Sequence, residues 1–121
     1  MSRSRQQLGR LGEDMVSRRL VADGHELVAR NWRCEIGEID IVTREGQELV
    51  FVEVRTRRGV SYGTPEESIT EAKKARLIEL GETFAQEHEW EGPWRIDVAA
   101  VLFSHSGELQ RLTITQDAVE A

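Results

Sequence analysis

The sequence predicts an α/β fold: a central, mixed five-stranded sheet flanked by helices in three layers, in the order α-β-β-β-α-β-β. Three observations carry that expectation. Two segments repeat apolar residues at the period of a helix, others read as strands, and one strand-like run is apolar on both faces. A strand of that last kind is covered on each side, which sets a layer above and below the sheet.

In residues 5–23, Leu8, Leu11, Met15, Val16 and Leu20 share one side of a helix. Gly24 stands just past the end, where a glycine terminates helices. Gly9 and Gly12 lie on or beside the apolar stripe and are expected to let the backbone approach the sheet. Strands follow at 25–34, 37–44 and 48–57. The last two form a hairpin around Glu45-Gly46-Gln47-Glu48, with Gly46 first in a type II′ turn. Leu49-Val50-Phe51-Val52-Glu53-Val54 is the run covered on both faces. The stretch 59–65 leads to a second helix with Thr70 as its N-cap, ending near His88 and closed by Glu91-Gly92-Pro93. Strands at 95–103 and 109–115 flank the turn Ser104-His105-Ser106-Gly107. With no internal repeat and no long linker, residues 1–121 read as a single domain.

Composition narrows the class. The chain of 121 residues is 39% hydrophobic and 31% charged, which is globular rather than disordered. No apolar run is long enough for a membrane helix, and the basic N-terminus MSRSRQQLGR has no apolar run behind it to make a secretory signal. Cys34 is the lone cysteine, and His25, His88 and His105 have no zinc-ligand spacing. A reducing, cytoplasmic setting is expected. The net charge of −6 speaks against a generally basic surface. The charge is segregated, however: residues 1–34 carry seven arginines against four acids, and residues 59–92 carry three cations against eight acids. That asymmetry fits a weak or structure-selective nucleic-acid binder, or a homodimer that pools basic faces.

The type II′ turn pairs Glu45 with Glu48, and the same register sets Asp40 opposite Glu53. Their Cβ atoms then lie roughly 4.5–5.5 Å apart on one face. Two acids facing each other on a covered strand need neutralising. A divalent metal can do it, or the guanidinium of Arg55, two residues on and on the same face. Hard oxygen ligands favour Mg²⁺ or Mn²⁺ over zinc. Glu13 lies at the edge of the first helix's apolar stripe, within reach of the sheet's rim, as a third acid. In the second helix Lys73 and Arg76 share a side with Ile69, Leu77, Leu80 and Phe84. Either these cations turn inward to the acids, or their stems cover apolar surface with the heads in water.

The elements GRLGED at 9–14, RNWRCEIGEIDIV at 30–42, LVFVEVRTRRG at 49–59, TEAKKARL at 70–77 and RIDV at 95–98 together resemble the YraN family. These small bacterial proteins are related to archaeal Holliday-junction resolvases within the PD-(D/E)xK nuclease superfamily. The resemblance implies a restriction-endonuclease-like fold and a metal-dependent endonuclease that cuts structured or branched DNA. It implies that Glu13, Asp40 and Glu53 hold Mg²⁺ or Mn²⁺, and that Arg55 takes the place of the usual catalytic lysine. Lys73 and Arg76 match basic residues of the second helix. From the residues themselves, Arg57 and Arg58 are expected in a solvated loop, with DNA contact by Arg57 as the lesser alternative.

Arg55 keeps a second function open. An arginine does not deprotonate at working pH, and it can clamp both strand acids and exclude the metal. The chain would then be a non-catalytic module that keeps the nuclease fold to bind DNA or a protein. With fourteen arginines and two lysines, the replacement also fits a general preference for arginine. Asp97 is expected to pair with Arg95, and Trp32 and Tyr62 to serve packing in preference to base stacking.

Overall fold

The computed structural model describes residues 4–59 and 63–120. Helix α1 (Arg5–Ala22) is followed by β1 (Glu26–Cys34), β2 (Gly37–Glu45) and β3 (Glu48–Arg58). A short 3₁₀ turn, Glu66–Ser68, leads into α2 (Glu71–Glu87), and β4 (Trp94–Phe103) and β5 (Leu109–Thr115) complete the chain. The element order is the expected one.

The helix ends follow from their caps. Ser4 accepts from the Gln7 N–H, and the Gln7 side chain accepts from the Ser4 N–H, a capping box that satisfies two donors. Thr70 caps α2 by accepting from the Lys73 N–H. Strands run in the order β1-β2-β3-β4-β5, antiparallel except for β3 and β4, which are parallel. A parallel pair needs a crossover, and α2 supplies it.

The sheet buries both faces. Leu49, Phe51, Ile96 and Val98 pack with Leu77, Leu80 and Phe84 of α2. Val50, Val52, Ala99, Val101 and Phe103 pack with Leu8, Val16 and Leu20 of α1. Alternation along β3 and β4 thus feeds two separate cores, giving the three layers. Trp32 belongs to the α2 side, its ring edge-on to Phe84 at 5.2 Å between centroids. Tyr62 lies outside the described residues. Among the described residues no helix is long and apolar enough to cross a membrane.

At the hairpin end, His25 is buried between Thr43 (2.7 Å) and Glu45 (3.2 Å). Arg95 binds Glu45, Glu48 and Asp97 at 3.0, 2.7 and 3.0 Å. Asp97 is fully buried and also accepts the Asp117 N–H, so its role is structural.

Gly12 and Gly9 differ from the joint role that the sequence suggests. A Cβ on Gly12 would sit 2.7 Å from Thr56 Oγ1, whereas a Cβ on Gly9 meets nothing within 4 Å. Only Gly12 is the close approach between α1 and β3; Gly9 lines the cleft between them, where an added Cβ has room. Gly12→Ala is therefore expected to destabilise by about 1–3 kcal/mol through overpacking. Gly9→Ala should be neutral or stabilising by up to about 1 kcal/mol through helix propensity. Urea unfolding midpoints of the two variants measure the difference, and equal effects would contradict this packing.

Candidate functional site

The β2–β3 ladder runs from Glu45↔Glu48 only as far as Ile41↔Val52. Gly46 has φ 61° while Gln47 stays out of the positive-φ region, the sign pattern of the type II′ turn that sets this register. One step further Asp40 stands opposite Glu53, but there the strands part. From Glu53 to Arg58, β3 is paired with β4 alone. The face alternation of β2 breaks at the same level. Ile39 and Val42 both enter the α2-side core, while Ile41 enters the other. The parting frees the Val54 N–H from any β2 carbonyl, and the Asp40 carboxylate accepts it at 2.8 Å.

Glu53 points to the α2 side and is 4% exposed. One of its oxygens, Oε2, receives both Arg55 (3.1 Å) and Lys73 (3.4 Å). Arg55 is itself held by the 3₁₀ turn, donating to Ser68 Oγ at 2.7 Å and to the Ser68 carbonyl at 3.3 Å. Among the described residues Asp40 has no cation of its own. Burial raises its pKa first, and the neighbouring Glu53 carboxylate raises it further, with a smaller push from Glu13. The Val54 N–H opposes them, yet Asp40 is pushed up to about 8. Side-chain hydrogen bonding between the two acids raises it as well.

The structure does not gather three acids into one group. Glu13 is near enough to act on Asp40 through its charge, but its Oε1 is bound by Asn31 Nδ2 at 2.9 Å, with Arg30 at 3.6 Å. Among the described residues no three His, Cys, Asp or Glu side chains form a group that could hold a metal. The expected triad is thus a close pair, Asp40 and Glu53, with Glu13 held beside it by β1. Lys73 does turn inward. Arg76 does not: it donates to the Ile36 carbonyl at 2.8 Å and so fastens the β1–β2 turn. Arg55 binds one of the two acids and the Ser68 turn, and does not fork across both. Arg57 lines a cleft between α1 and β3.

Two participants escaped the sequence reading. Asn31 sits in β1 at φ 52°, where the β1–β2 pairing passes from Arg30↔Ile41 to Trp32↔Ile39. Its amide donates to both Glu13 and Glu38, at 2.9 and 2.7 Å. An asparagine inside a strand was the available signal, since it tolerates the left-handed region better than most residues. Ser68 carried no signal, because its role depends on where the loop places it.

The pair suits a hard divalent cation in one respect and resists it in another. The buried Glu53 and the half-buried Asp40 offer oxygen donors, and Mg²⁺ is commonly held by one or two carboxylates with water and substrate phosphates completing its shell. Arg55 and Lys73 already occupy one oxygen of Glu53, which leaves its other oxygen and Asp40 for an ion.

The sign of the pH effect is fixed by Asp40. Its folded pKa, about 8, lies above the ordinary aspartate value of 3.8, so the folded state binds the extra proton between them. The associated stability is fully present below about pH 4 and is lost as pH rises through about 8. Metal-free protein is expected to show a Tm that falls over that window. Asp40→Asn should flatten the fall and raise the Tm at the alkaline end. Parallel wild-type and variant melting curves would show that Asp40 is not the group responsible.

The sequence is similar to that of several known proteins. The chain is 52% identical over 103 residues to a UPF0102 protein of Roseiflexus castenholzii, covering 84% of this chain and 83% of that one. It is 46% identical over 104 residues to one from Clavibacter michiganensis, covering 85% and 88%. A third, from Pelotomaculum thermopropionicum, is 43% identical over 119 residues and covers 98% and 99%. Residues 12–101, which span Asp40, Glu53 and both flanking cations, match the model of the uncharacterised protein family UPF0102, and the chain belongs to that family.

Proposed function

We propose that this protein is a Mg²⁺- or Mn²⁺-dependent endonuclease that hydrolyses phosphodiesters in structured or branched DNA. The observation that carries the proposal is the meeting of Asp40 and Glu53 where β2 and β3 part, with Lys73 and Arg55 on the same carboxylate. Asp40 and Glu53 would hold the ion. Glu13 would stand beside them, fixed by Asn31. A divalent ion in this place supplies Lewis-acid polarisation of a phosphoryl oxygen and a more acidic water. The chain's own residues do the rest. Lys73, one-third exposed, reaches the site from α2 and supplies positive charge where negative charge develops on the phosphate. Ser68 and Glu53 hold Arg55 in one orientation, so its guanidinium adds to that field.

The expected outcome in calorimetry is one Mn²⁺ site for the wild type, and its loss in Asp40→Asn. Junction and flap substrates should be cut in Mn²⁺, and Asp40→Asn or Glu53→Gln should lower the rate by roughly a hundredfold or more. Cleavage that survives Asp40→Asn, or an ion site untouched by it, would defeat the proposal.

The Arg55–Glu53 ion pair favours a second function. A guanidinium fixed by three hydrogen bonds competes with a metal for Glu53, and the chain would then bind DNA or a protein partner without cutting. Arg55→Lys separates the two. Cleavage that begins only in Arg55→Lys establishes the binding module, and cleavage by the wild type that Arg55→Lys leaves equal or lowers rejects it.

A further inference from the structure

Arg57 and Arg58 end β3, and with Arg5, Glu13, Val54 and Thr56 they line a cleft of about 620 Å³ between α1 and the outer part of β3. Arg57 Nε, Arg58 Nε and Arg58 Nη2 are buried and have no hydrogen-bond partner among the described residues. A guanidinium stays charged at any working pH, so its unsatisfied N–H groups carry a real desolvation cost. Among the described residues six arginines pair with acids, Arg30 with Asp14, Arg95 with three carboxylates and Arg111 with Glu66 among them, while Arg10, Arg18, Arg44 and Arg76 do not and lie outside this cleft. In a chain with 22 acids to 16 cations, Arg5, Arg57 and Arg58 have no ion-pair partner among the described residues. All three converge on one cleft.

The backbone adds to this. The Val54 N–H points to Asp40, and the Gly59 N–H points the other way, to the Phe103 carbonyl at 2.8 Å. By the alternation of a strand, Thr56 and Arg58 direct their N–H groups to the same open edge as Val54. Guanidinium and amide donors along one unpaired edge suit an anion with several acceptor oxygens. No aromatic side chain lines the cleft among the described residues, so it offers nothing for a base to stack on. Val54 belongs to both places: its N–H holds Asp40 and its side lines the cleft, with Glu13 at that same end. The arginine end therefore seats an anion next to the acid pair, not upon it.

We infer that the α1–β3 cleft binds a non-reacting phosphate of a polynucleotide strand, holding by its backbone the strand whose neighbouring phosphodiester lies at Asp40 and Glu53. The inference rests on the nuclease proposal for its ligand class. Recognition by this cleft is of phosphate and is indifferent to sequence.

The test is fluorescence anisotropy with labelled single-stranded dodecamers, one of dT and one of mixed sequence, in EDTA, so that no cleavage or metal binding contributes. Wild type should bind both alike and lose affinity with salt. Arg57→Ala with Arg58→Ala should weaken binding about tenfold and reduce the log–log salt slope by about 1–1.5, since each phosphate contact on a single strand contributes about 0.7. Arg5→Glu should also weaken it; an acid in the first turn of a helix is favoured there, so loss of folding would not explain the result. Arg18→Ala, at an exposed position outside the cleft lining, should change nothing. Undiminished binding by Arg5→Glu and the double variant overturns the inference. So does an equal loss in Arg18→Ala, a preference above tenfold between the two oligonucleotides, or no binding by wild type. Because the binding is read in EDTA, a failure of cleavage alone strikes the nuclease proposal and leaves this one standing.

Discussion

Where β3 continues beyond the reach of β2, its backbone still has donors that must be satisfied, and the molecule meets that demand with a side chain. Asp40 takes the Val54 N–H that a β2 carbonyl would have taken. This single hydrogen bond draws a carboxyl to the place where Glu53 is also buried. The proximity of two acids, the raised pKa of Asp40 and the inward turn of Lys73 are consequences of it. The opening of the sheet is also what leaves an edge of β3 exposed to α1, and Gly12 allows the helix to close against Thr56 at that edge.

The charges divide into two populations. At the hairpin end, Arg95 and His25 sit among Glu45, Glu48, Asp97 and Thr43, and no group there is left without a partner to explain. At the parted end the balance is incomplete among the described residues: an acid without a cation at position 40, and arginine nitrogens without acceptors at 57 and 58. Buried polar groups lacking partners are uncommon in folded proteins and tend to mark places where something else binds. A net charge of −6 is compatible with a phosphate-binding surface because the excess acid is distributed elsewhere, much of it around α2.

Most of the fold could be read from the sequence because it rests on local chemistry. Helix periodicity, the Thr70 cap and the doubly apolar run 49–54 each specify an element without help from its neighbours. The hairpin turn specified the β2–β3 register, and with it the level at which Asp40 and Glu53 meet. What could not be read was the parting of the strands at that level. It arises from tertiary packing, visible in the way Ile39 joins the α2-side core out of alternation. For the same reason Glu13 was expected as a direct partner and is found restrained by Asn31, and Arg76, assigned to the site by its helical face, spans instead to the Ile36 carbonyl. Helical spacing tells which way a side chain leaves the helix; it does not tell which long side chain will find a backbone oxygen first.

The glycine-led turn at 46 has an influence beyond its four residues. Because side chains on a strand change face at every step, one residue added to or removed from that loop would exchange the two interiors along the whole of β3. Val50 and Val52 would be presented to α2, and Glu53 would be driven into the hydrocarbon beneath α1, away from Lys73 and Ser68. Loop length at this hairpin is therefore as strict a requirement for the acid pair as the acids themselves, although the turn lies at the opposite end of the strands.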